Sequence, residues 1–428
     1  MDLINHPFFF LCPSCFSENT LQNSQCSSCG IKINIGNDCI VFGDQKINFA
    51  NYYQLIERKL SVKQVSVEPF PESYLEDKKG VLRISQKALL RQGVQKLNFR
   101  GYHHLYERAI EKPVDIGEGF LIIFENHIEF ISELERMSWS IEEFSCVTTN
   151  GHYLVFKIKH RPFYQIKFIH ESPLKYEIIF RKWLDSFYQN STQKKIIEYQ
   201  PRLIFASPHQ SELLLDFSSN REKEINPIFE KIHIAIVEFI VRIILRFWIK
   251  VKIFSKENWQ TVKHGFTILN HQSALDPFIV GAFLDRRIAF LTKSTSFAHR
   301  VPRFFLKWLM GVPTSRYETD PQVIYFIRKL ISNGIRVGIF PEGERSWSGR
   351  MNSFKLSVVK LLMASREAIT PIVLQNAFHF WPRWTNLPRR TEVQITVGAP
   401  FCLIPGIYSV DEQRTFLEEY FKTQLKEI

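Results

Sequence analysis

The chain has 428 residues, a formal net charge of +12 and a sequence pI near 9.2. That length exceeds what a single compact core normally serves, so two or three domains are predicted. The hydrophobic fraction of 45% and the charged fraction of 23% exclude a disordered chain, and the basic balance favours an anionic partner: nucleic acid, an acidic membrane leaflet or a phosphorylated substrate.

The amino-terminal residues and the hydropathy of the chain bear on export and membrane anchoring. Residues 1–11 have an apolar patch at 8–11 but neither a basic start nor a small-residue cleavage site, so they do not resemble a signal peptide. No uninterrupted apolar run reaches about 18 residues, the length of a simple spanning helix. Of the seven cysteines, four have a metal-like spacing, which favours a reducing compartment over a disulfide framework.

The first predicted domain, residues 1–45, is a small zinc ribbon. It contains two C-x2-C pairs separated by ten residues, Cys12 with Cys15 and Cys26 with Cys29. Each pair presents two thiolates on one tight turn, and four thiolates complete the tetrahedral coordination that structural zinc prefers. The alternative is four unrelated cysteines. We therefore predict a structural Zn²⁺ ion held by protein ligands alone.

Residues 80–190 are predicted to form a β-rich domain. Runs rich in β-branched and aromatic residues alternate with turns, and a helical pattern closes the region. The predicted strands are Gly119–Phe124, Ile128–Ile131, Tyr153–Ile158 and Tyr164–Phe168. Several strands followed by one helix resemble a PH-like or GRAM-like domain, and a generic small β-domain is the alternative. The polar residues 191–226 are predicted to be a linker.

Residues 227–428 are predicted to form the third domain, which opens with a helix over residues 228–254. The charged residues of this helix recur every four positions and form one narrow stripe on an otherwise apolar circumference. They are Glu238, Arg242, Arg246 and Lys250. Such a helix suits a membrane interface, where basic side chains meet anionic headgroups, or a large core.

A histidine and an aspartate follow a predicted strand in this third domain. Residues 265–270 have a strand pattern, His271 stands just beyond it, and a helix is predicted to begin at Asp276. The carboxyl end of a strand is where open α/β sheets place their sites, and histidine has the pKa range suited to a general base. A carboxylate on its other ring nitrogen would fix the tautomer. Alternatively, Asp276 is a helix N-cap, or Ser273 and Asp276 form a capping box.

Three later segments combine strands or turns with glycine and arginine. Residues 337–340 are predicted as a strand that leads into Pro341–Ser346, with Glu342, Gly343 and Arg345 in the turn. Gly311 and Arg316 bound another turn, and residues 369–373 form a further strand. Glycine permits close backbone approach to a ligand, and arginine pairs bidentately with phosphate.

In order and spacing these segments resemble the blocks of the glycerolipid acyltransferase family, whose members acylate glycerol-3-phosphate or 1-acylglycerol-3-phosphate. The H-x4-D block matches His271 and Asp276, and the F-P-E-G-T-R-S block matches Phe340–Ser346. The arginine-ended block resembles Gly311–Arg316, and the V-P-I-V-like block resembles Thr370–Val373. The resemblance spans residues 271–373 and implies an α/β acyltransferase domain with a mixed sheet flanked by helices.

The resemblance also implies a reaction and roles for the matched residues. His271 would be the general base oriented by Asp276, and Arg316 and Arg345 would hold a phosphate. Gly311, Glu342 and Gly343 would shape the substrate-binding site, which needs no metal or cofactor. The donor would be acyl-CoA or acyl-carrier protein, and the acceptor a lysophospholipid, most simply 1-acylglycerol-3-phosphate.

The sequence departs from the family pattern at two positions. Glu344 stands where the family has threonine, and Ser357 stands where a later F-K-x-G block has glycine. A carboxylate beside a phosphate site is unfavourable unless it points away or pairs with a cation such as Arg345 or Arg350. A different lysolipid acceptor is therefore the alternative enzymatic reading.

Residues 286–316 bear on localisation, since they interleave basic and aromatic side chains without any acidic residue. Such a mixture suits an anionic lipid surface, and it also suits nucleic acid. Because the neighbouring blocks imply a lipid product, we predict a peripheral protein on the cytoplasmic face of a membrane, with no nucleic-acid partner. The non-enzymatic alternative is a zinc-ribbon and PH-like adaptor that binds membranes or nucleic acid.

Overall fold

A computed structural model describes residues 8–425, apart from residues 20, 23, 37–38, 64–79, 101–106, 134, 207–238, 285–287, 301–302, 304, 307–309, 316–319, 386, 404 and 407. The chain divides into two compact units. The first comprises Met1–Leu97, Glu111–Pro208 and Ser315–Thr319, and the second comprises Asn98–Ile110, His209–Thr314 and Asp320–Ile428.

The first unit begins with small antiparallel sheets and one helix. Strands β1 (Leu21–Gln22) and β2 (Gln25–Cys26) pair with each other, and β3 (Ile33–Ile35), β4 (Cys39–Phe42) and β5 (Gln45–Asn48) form a three-stranded sheet. Helix α1 (Phe49–Lys59) is capped by Asn48, whose side chain accepts a hydrogen bond from the Asn51 backbone N–H. The buried Tyr52 of α1 donates its hydroxyl to the Leu11 carbonyl at 2.7 Å, which ties the helix to the cysteine-bearing segment.

A larger antiparallel sheet and a helix complete the first unit. The sheet order is β10-β9-β8-β7-β13-β12-β11, with β6 paired to β8. The strands are β6 (Val81–Ile84), β7 (Ala88–Arg100), β8 (Glu107–Phe124), β9 (His127–Ser132), β10 (Arg136–Ser140), β11 (Phe144–Asn150), β12 (Tyr153–Ile158) and β13 (Phe163–Phe168). Helix α2 (Pro173–Thr192) packs against β11, β12 and β13. All four strands predicted from the sequence lie in this sheet.

The predicted linker, residues 191–226, differs from the structure in its first part. Helix α2 continues to Thr192, and β14 (Ile196–Glu198) pairs with β15 (Ile204–Phe205). Ile196 is buried and pairs with Phe205, so apolar residues stabilise a short hairpin here. Residues 207–238, which include the rest of the predicted linker and the start of the predicted helix, lie outside the described residues.

The second unit is built on a seven-stranded mixed sheet of order β16-β22-β21-β17-β20-β18-β19. The strands are β16 (Ile249–Phe254), β17 (Gly265–Leu269), β18 (Ile288–Lys293), β19 (Val312–Thr314), β20 (Arg336–Ile339), β21 (Ile369–Gln375) and β22 (Thr391–Val397). Neighbouring strands are parallel except for β21 and β22. The helices include α3 (Asn258–Thr261), α4 (Asp276–Leu284), α5 (Pro321–Ser332), α6 (Leu356–Ser365), α7 (Ala377–Phe380) and α8 (Val410–Gln424).

Helices lie against the sheet and against each other, and their apolar residues close the core. Helix α5 packs against β19 and β20, α7 packs against β22, and α6 packs against α8. One core cluster joins buried residues of β17, α4, β21 and β22, among them Leu269, Ile279, Ile372 and Val393. An α/β architecture with a mixed sheet flanked by helices was predicted, and the structure has it.

The helix predicted over residues 228–254 is wrong at its carboxyl end. Residues 239–246 are helical, but Ile249–Phe254 form strand β16, which pairs in parallel with β22. The physical reason is visible in the alternation of Ile249, Val251 and Ile253 with two lysines, a period of two that a sheet edge satisfies. Across the described part of the chain, no helix has the length and apolarity to span a membrane.

Candidate active site

The site lies at the carboxyl end of β17, the strand between two parallel neighbours, β20 and β21. Every residue of β17 is buried, since the strand is covered on both faces. Asn270 extends the pairing beyond the strand with its side chain, because it donates to the Leu374 carbonyl at 2.9 Å and accepts from the Leu374 N–H at 2.8 Å. This fully buried amide fixes the point at which the chain leaves the sheet.

His271 follows directly and contacts Asp276. The distance from His271 Nδ1 to Asp276 Oδ2 is 2.9 Å, with the histidine side chain 14% exposed and the aspartate fully buried. A hydrogen bond to a carboxylate assigns the ring proton to Nδ1, so that the basic lone pair is on Nε2. The two residues predicted to work together are therefore adjacent, in the geometry that a histidine base needs.

Asp276 also holds the turn that brings this contact about. Its Oδ2 atom accepts from the backbone N–H groups of Gln272 and Ser273, at 2.8 Å each, while Ser273 Oγ accepts from Leu275 N at 3.3 Å. Asp276 is the first residue of α4, and only half of a capping box is present, because Ser273 Oγ accepts from Leu275 N and not from Asp276 N. The structural and catalytic interpretations of Asp276 are thus compatible, since one oxygen serves both.

The His271 ring is packed on one face by an aromatic residue from the next block. The ring centroids of His271 and Phe340 are 3.9 Å apart with an interplanar angle of 21°, and Phe340 in turn stacks on Phe290 at 5.6 Å. Such stacking removes rotational freedom from the imidazole, so its orientation depends on packing as well as on the Asp276 hydrogen bond.

The Pro341–Ser346 segment holds the His271 peptide from both sides. Glu342 Oε1 accepts from the His271 N–H at 2.6 Å, and the Ser346 N–H donates to the His271 carbonyl at 2.9 Å. The other carboxylate oxygen of Glu342 accepts from the Asn352 N–H at 2.8 Å. Glu342 therefore joins the histidine turn to the loop that follows β20.

Burial perturbs the titration of Glu342. Desolvation of this fully buried carboxyl raises its pKa to about 8, and two backbone hydrogen bonds offset only part of that rise. The nearby charges of Asp276 and Glu344 raise the pKa further. Glu344 therefore lies near enough to Glu342 for its charge to affect the pKa of that carboxyl.

The two predicted glycines occupy tight positions. Gly343 has φ near +73° and a Cβ there would lie 3.3 Å from the Lys355 side chain, so a larger residue would be strained. A Cβ on Gly311 would lie 3.0 Å from the Leu306 carbonyl oxygen and 3.2 Å from the Phe297 ring. Gly311 precedes β19 directly, and Arg316, predicted to bind phosphate, lies outside the described residues.

Arg345 lies in the same turn as Glu342 and is partly exposed, and its carbonyl accepts a hydrogen bond from Arg383 at 3.2 Å. Arg383 also pairs with Glu344, Nη1 to Oε2 at 3.3 Å, and lies over the Trp347 ring at 4.1 Å. No sequence pattern points to Arg383, because it follows α7 in a segment without a recognised block.

Gln272 is a second residue without a predicted role. Its amide donates to the Gly349 carbonyl at 3.0 Å and accepts from the Phe378 N–H at 3.3 Å, which joins the histidine turn to two further segments. It lies within the H-x4-D block, so its position between the paired residues was the available signal.

The four cysteines of the first unit form a separate candidate metal centre. The Sγ atoms of Cys12, Cys15, Cys26 and Cys29 all lie within 4.8 Å of one another. The distance from Cys12 Sγ to Cys29 Sγ is 3.8 Å, and from Cys15 Sγ to Cys26 Sγ it is 3.7 Å. A tetrahedron with zinc–sulfur bonds of about 2.3 Å has edges of about 3.8 Å, so the spacing fits a tetrathiolate zinc site and exceeds a disulfide bond.

Comparisons with known proteins address the second unit. A family model described as Acyltransferase matches residues 250–375. The chain is 30% identical over 117 residues to 1-acyl-sn-glycerol-3-phosphate acyltransferase LPAT1, chloroplastic, of Arabidopsis thaliana, covering 27% of this chain and 33% of that protein. It is 26% identical over 155 residues to 1-acyl-sn-glycerol-3-phosphate acyltransferase BAT2, chloroplastic, of Brassica napus, covering 36% and 45%.

The chain thus spans between a third and a half of the length of the curated relatives it matches. Among solved structures, the 1-acyl-sn-glycerophosphate acyltransferase PlsC from Thermotoga maritima aligns with a TM-score of 0.41 and 21% identity, over 48% of this chain and 84% of that one. That score is too low to support the assignment, which rests on the sequence matches. The stretch that carries His271, Asp276 and the Phe340–Ser346 block matches the acyltransferase family model, and the chain is similar over part of its length to two 1-acyl-sn-glycerol-3-phosphate acyltransferases.

Proposed function

We propose that the protein transfers a fatty acyl group from an acyl thioester to the hydroxyl of a lysophospholipid, with 1-acylglycerol-3-phosphate as the acceptor. The observation that carries this proposal is the His271–Asp276 pair at the carboxyl end of β17. The pair lies within the segment that matches the acyltransferase family. The two relatives bear the name of that activity.

In the proposed mechanism, His271 Nε2 removes the proton of the acceptor hydroxyl as its oxygen attacks the thioester carbonyl. The resulting imidazolium is stabilised by the Asp276 carboxylate, which the turn already holds in place. Collapse of the tetrahedral intermediate forms the ester and breaks the carbon–sulfur bond, and the imidazolium returns its proton to the departing thiolate. The donor is acyl-CoA or an acylated carrier protein, and no metal takes part.

The acceptor phosphate would be held by Arg345 together with Arg316. Arginine forms paired hydrogen bonds with phosphate oxygens, and a fixed phosphate places the acceptor hydroxyl near the base. Glu342 and Gly343 support this site through the backbone contacts described above, and Gly311 supports the turn before β19. Proton transfer is assigned to His271 alone.

The experiment that tests the proposal measures thiol release and ester formation by the purified protein. Substrates are an acyl thioester and a panel of acceptors: 1-acylglycerol-3-phosphate, lysophosphatidylcholine and monoacylglycerol. We expect transfer to the phosphomonoester acceptor by the wild type, and loss of at least about 100-fold in kcat in His271→Ala. His264→Ala, an exposed histidine just before β17, is the matched control and should retain activity. Equal rates in the wild type and His271→Ala would contradict the mechanism.

Membrane association is proposed from an apolar surface on residues 239–248. Exposed side chains there include Phe239, Ile240, Ile244 and Phe247, with exposed fractions of 49–71%. Arg246 and Lys250 are exposed beside them, whereas Arg242 turns inward and donates to the Ala282 carbonyl at 2.8 Å. Apolar and basic groups on one exposed surface suit the interface of an anionic membrane, and we propose that this is the cytoplasmic face.

The domain organisation of the chain is proposed as the sequence predicts it. Residues 1–45 form a ribbon whose four cysteines hold structural zinc, residues 80–190 form a PH-like or GRAM-like domain, and residues 227–428 form the acyltransferase domain. The edges of the thiolate cluster, 3.7 and 3.8 Å, support zinc. Zinc analysis of the purified protein tests it.

A further inference from the structure

The 344–347 segment lies beside the catalytic histidine and contains a charge that a phosphate acceptor would meet. The Ser346 N–H donates a hydrogen bond to the His271 carbonyl at 2.9 Å, so Glu344 is two residues from a direct contact with the histidine peptide. Its carboxylate is 12% exposed and adds to the electrostatic perturbation of Glu342. An uncompensated carboxylate at this place would repel a phosphomonoester.

Arg383 supplies the compensating charge, and its position is fixed by three contacts. Its Nη1 atom lies 3.3 Å from Glu344 Oε2 and 3.2 Å from the Arg345 carbonyl oxygen. Its guanidinium lies over the Trp347 ring at 4.1 Å, and its side chain is only 4% exposed. A planar guanidinium can serve a carboxylate, a carbonyl and an aromatic face together, which a lysine ammonium does less well.

We propose that Arg383 is a positioning and specificity-determining residue for the acceptor: it cancels the charge of Glu344 and fixes the Arg345 peptide, so that the site beside His271 accepts a phosphomonoester. This inference rests on the proposed function. The carboxylate of Glu344, which departs from the family pattern, has a buried cationic partner from a different segment of the chain.

The inference concerns acceptor binding, so its signature is a change in the acceptor KM with a smaller change in kcat. Arg383→Gln removes a cation from beside Glu344 and should raise the KM for 1-acylglycerol-3-phosphate on the order of tenfold, the effect of one lost positive charge in a partly screened site. The kcat should stay within about threefold of the wild type, since His271 and Asp276 are untouched.

Removal of the second charge is the decisive step. The double variant Glu344→Gln with Arg383→Gln restores neutrality and should bring the KM back to within about threefold of the wild type. The single variant Glu344→Gln, which keeps Arg383 as an extra cation, should leave the KM equal or lower it. That variant also tests the inference if Arg383→Gln folds poorly, which thermal unfolding reports. The matched control is Arg389→Gln, an arginine of the same segment that lies over the Trp384 ring, and its KM should not change.

Three results would overturn the inference in an active enzyme: an unchanged KM in Arg383→Gln, a double variant as impaired as the single one, or a KM raised more than about threefold in Glu344→Gln. Failure of the proposed function looks different. In that case the wild type transfers no acyl group to any lysophospholipid, and the inference falls with it.

Discussion

Replacement of Asp276 by asparagine tests the proposed catalytic pair with the least change in shape. In the wild type, Asp276 Oδ2 accepts three hydrogen bonds, from His271 Nδ1 at 2.9 Å and from two backbone N–H groups at 2.8 Å. An asparagine Oδ1 can take the same three bonds, so the turn and the histidine orientation are retained. The variant removes the negative charge and places an amide nitrogen at the buried position of Asp276 Oδ1.

The expected loss follows from that charge. In the proposed mechanism His271 becomes an imidazolium, and a carboxylate about 4 Å from its charge centre, at an effective dielectric constant near 20, would stabilise it by about 4 kcal/mol. Removal of this interaction predicts a fall in kcat of about 100- to 1000-fold, with little change in KM because the acceptor contacts are elsewhere. Stability should fall by about 1–3 kcal/mol, as three charge-assisted hydrogen bonds become neutral and the new amide N–H groups are buried.

The assay is steady-state acyl transfer from a thioester to 1-acylglycerol-3-phosphate, with thermal unfolding measured in parallel. Asp411→Asn is the matched control, because Asp411 lies at the exposed start of α8 and pairs with Arg414. A kcat for Asp276→Asn within about threefold of the wild type, in a folded protein, would refute the role of the carboxylate in the mechanism.

Three further predictions concern stability, metal and membrane. The carboxyl of Glu342 holds its proton up to about pH 8 in the folded state but loses it near pH 4.5 when unfolded. The free energy of unfolding should therefore fall as pH rises through that window, by at most about 1.4 kcal/mol per pH unit. Glu342→Gln should flatten this slope in urea titrations, and an unchanged slope would show that Glu342 is not its source. We expect elemental analysis to find bound zinc in the wild type. Cys26→Ser should lose this zinc, whereas Cys39→Ser, which changes a buried cysteine outside the cluster, should keep it. Equal zinc in both variants would exclude the proposed ligands. Phe247→Ser should weaken flotation with anionic liposomes about tenfold, because the ring is 71% exposed and can contact lipid. Phe416→Ser on α8, where the ring is 51% exposed, should not weaken it. Equal losses in the two variants would indicate a different membrane-contacting surface.

Much of the second unit could be predicted from the sequence because its strands are short apolar runs that end at turns. β17, β20 and β21 all lie where the sequence predicts them, and parallel strands bring their carboxyl ends to one edge of the sheet. Membership of the acyltransferase family was predicted from the order of the blocks, and the family match over residues 250–375 confirms it for that segment. The catalytic roles of His271 and Asp276 remain predictions.

The error at residues 249–254 has a definite cause. Lys250 continues the four-residue spacing of the charged stripe, which favoured a helix, but the same residues also alternate with a period of two. Residues 249–254 form a strand because β22 provides a parallel pairing partner for all six residues of β16. A partner from residues 391–397 leaves no trace in the local pattern, so a tertiary contact overrode the local preference.

Arg383 was missed for a related reason. Its relevance comes from three contacts with the 344–347 segment, which lies 36 or more positions earlier in the chain. From the sequence, Glu344 was expected to pair with a nearby cation such as Arg345 or Arg350. The fold supplies a partner from beyond α7, because β21 carries the chain back past the site before that helix begins.

The contacts around His271 suggest why a site of this kind needs residues from several blocks. The imidazole is oriented by Asp276 and stacked by Phe340, while its peptide is held at the N–H by Glu342 and at the carbonyl by Ser346. Each contact removes a different motion, and none of them alone would keep the ring within the few tenths of an ångström that proton transfer requires. A motif of two residues is therefore ambiguous in a sequence, whereas the same two residues followed by the Phe340–Ser346 block describe a histidine whose ring and backbone are both fixed.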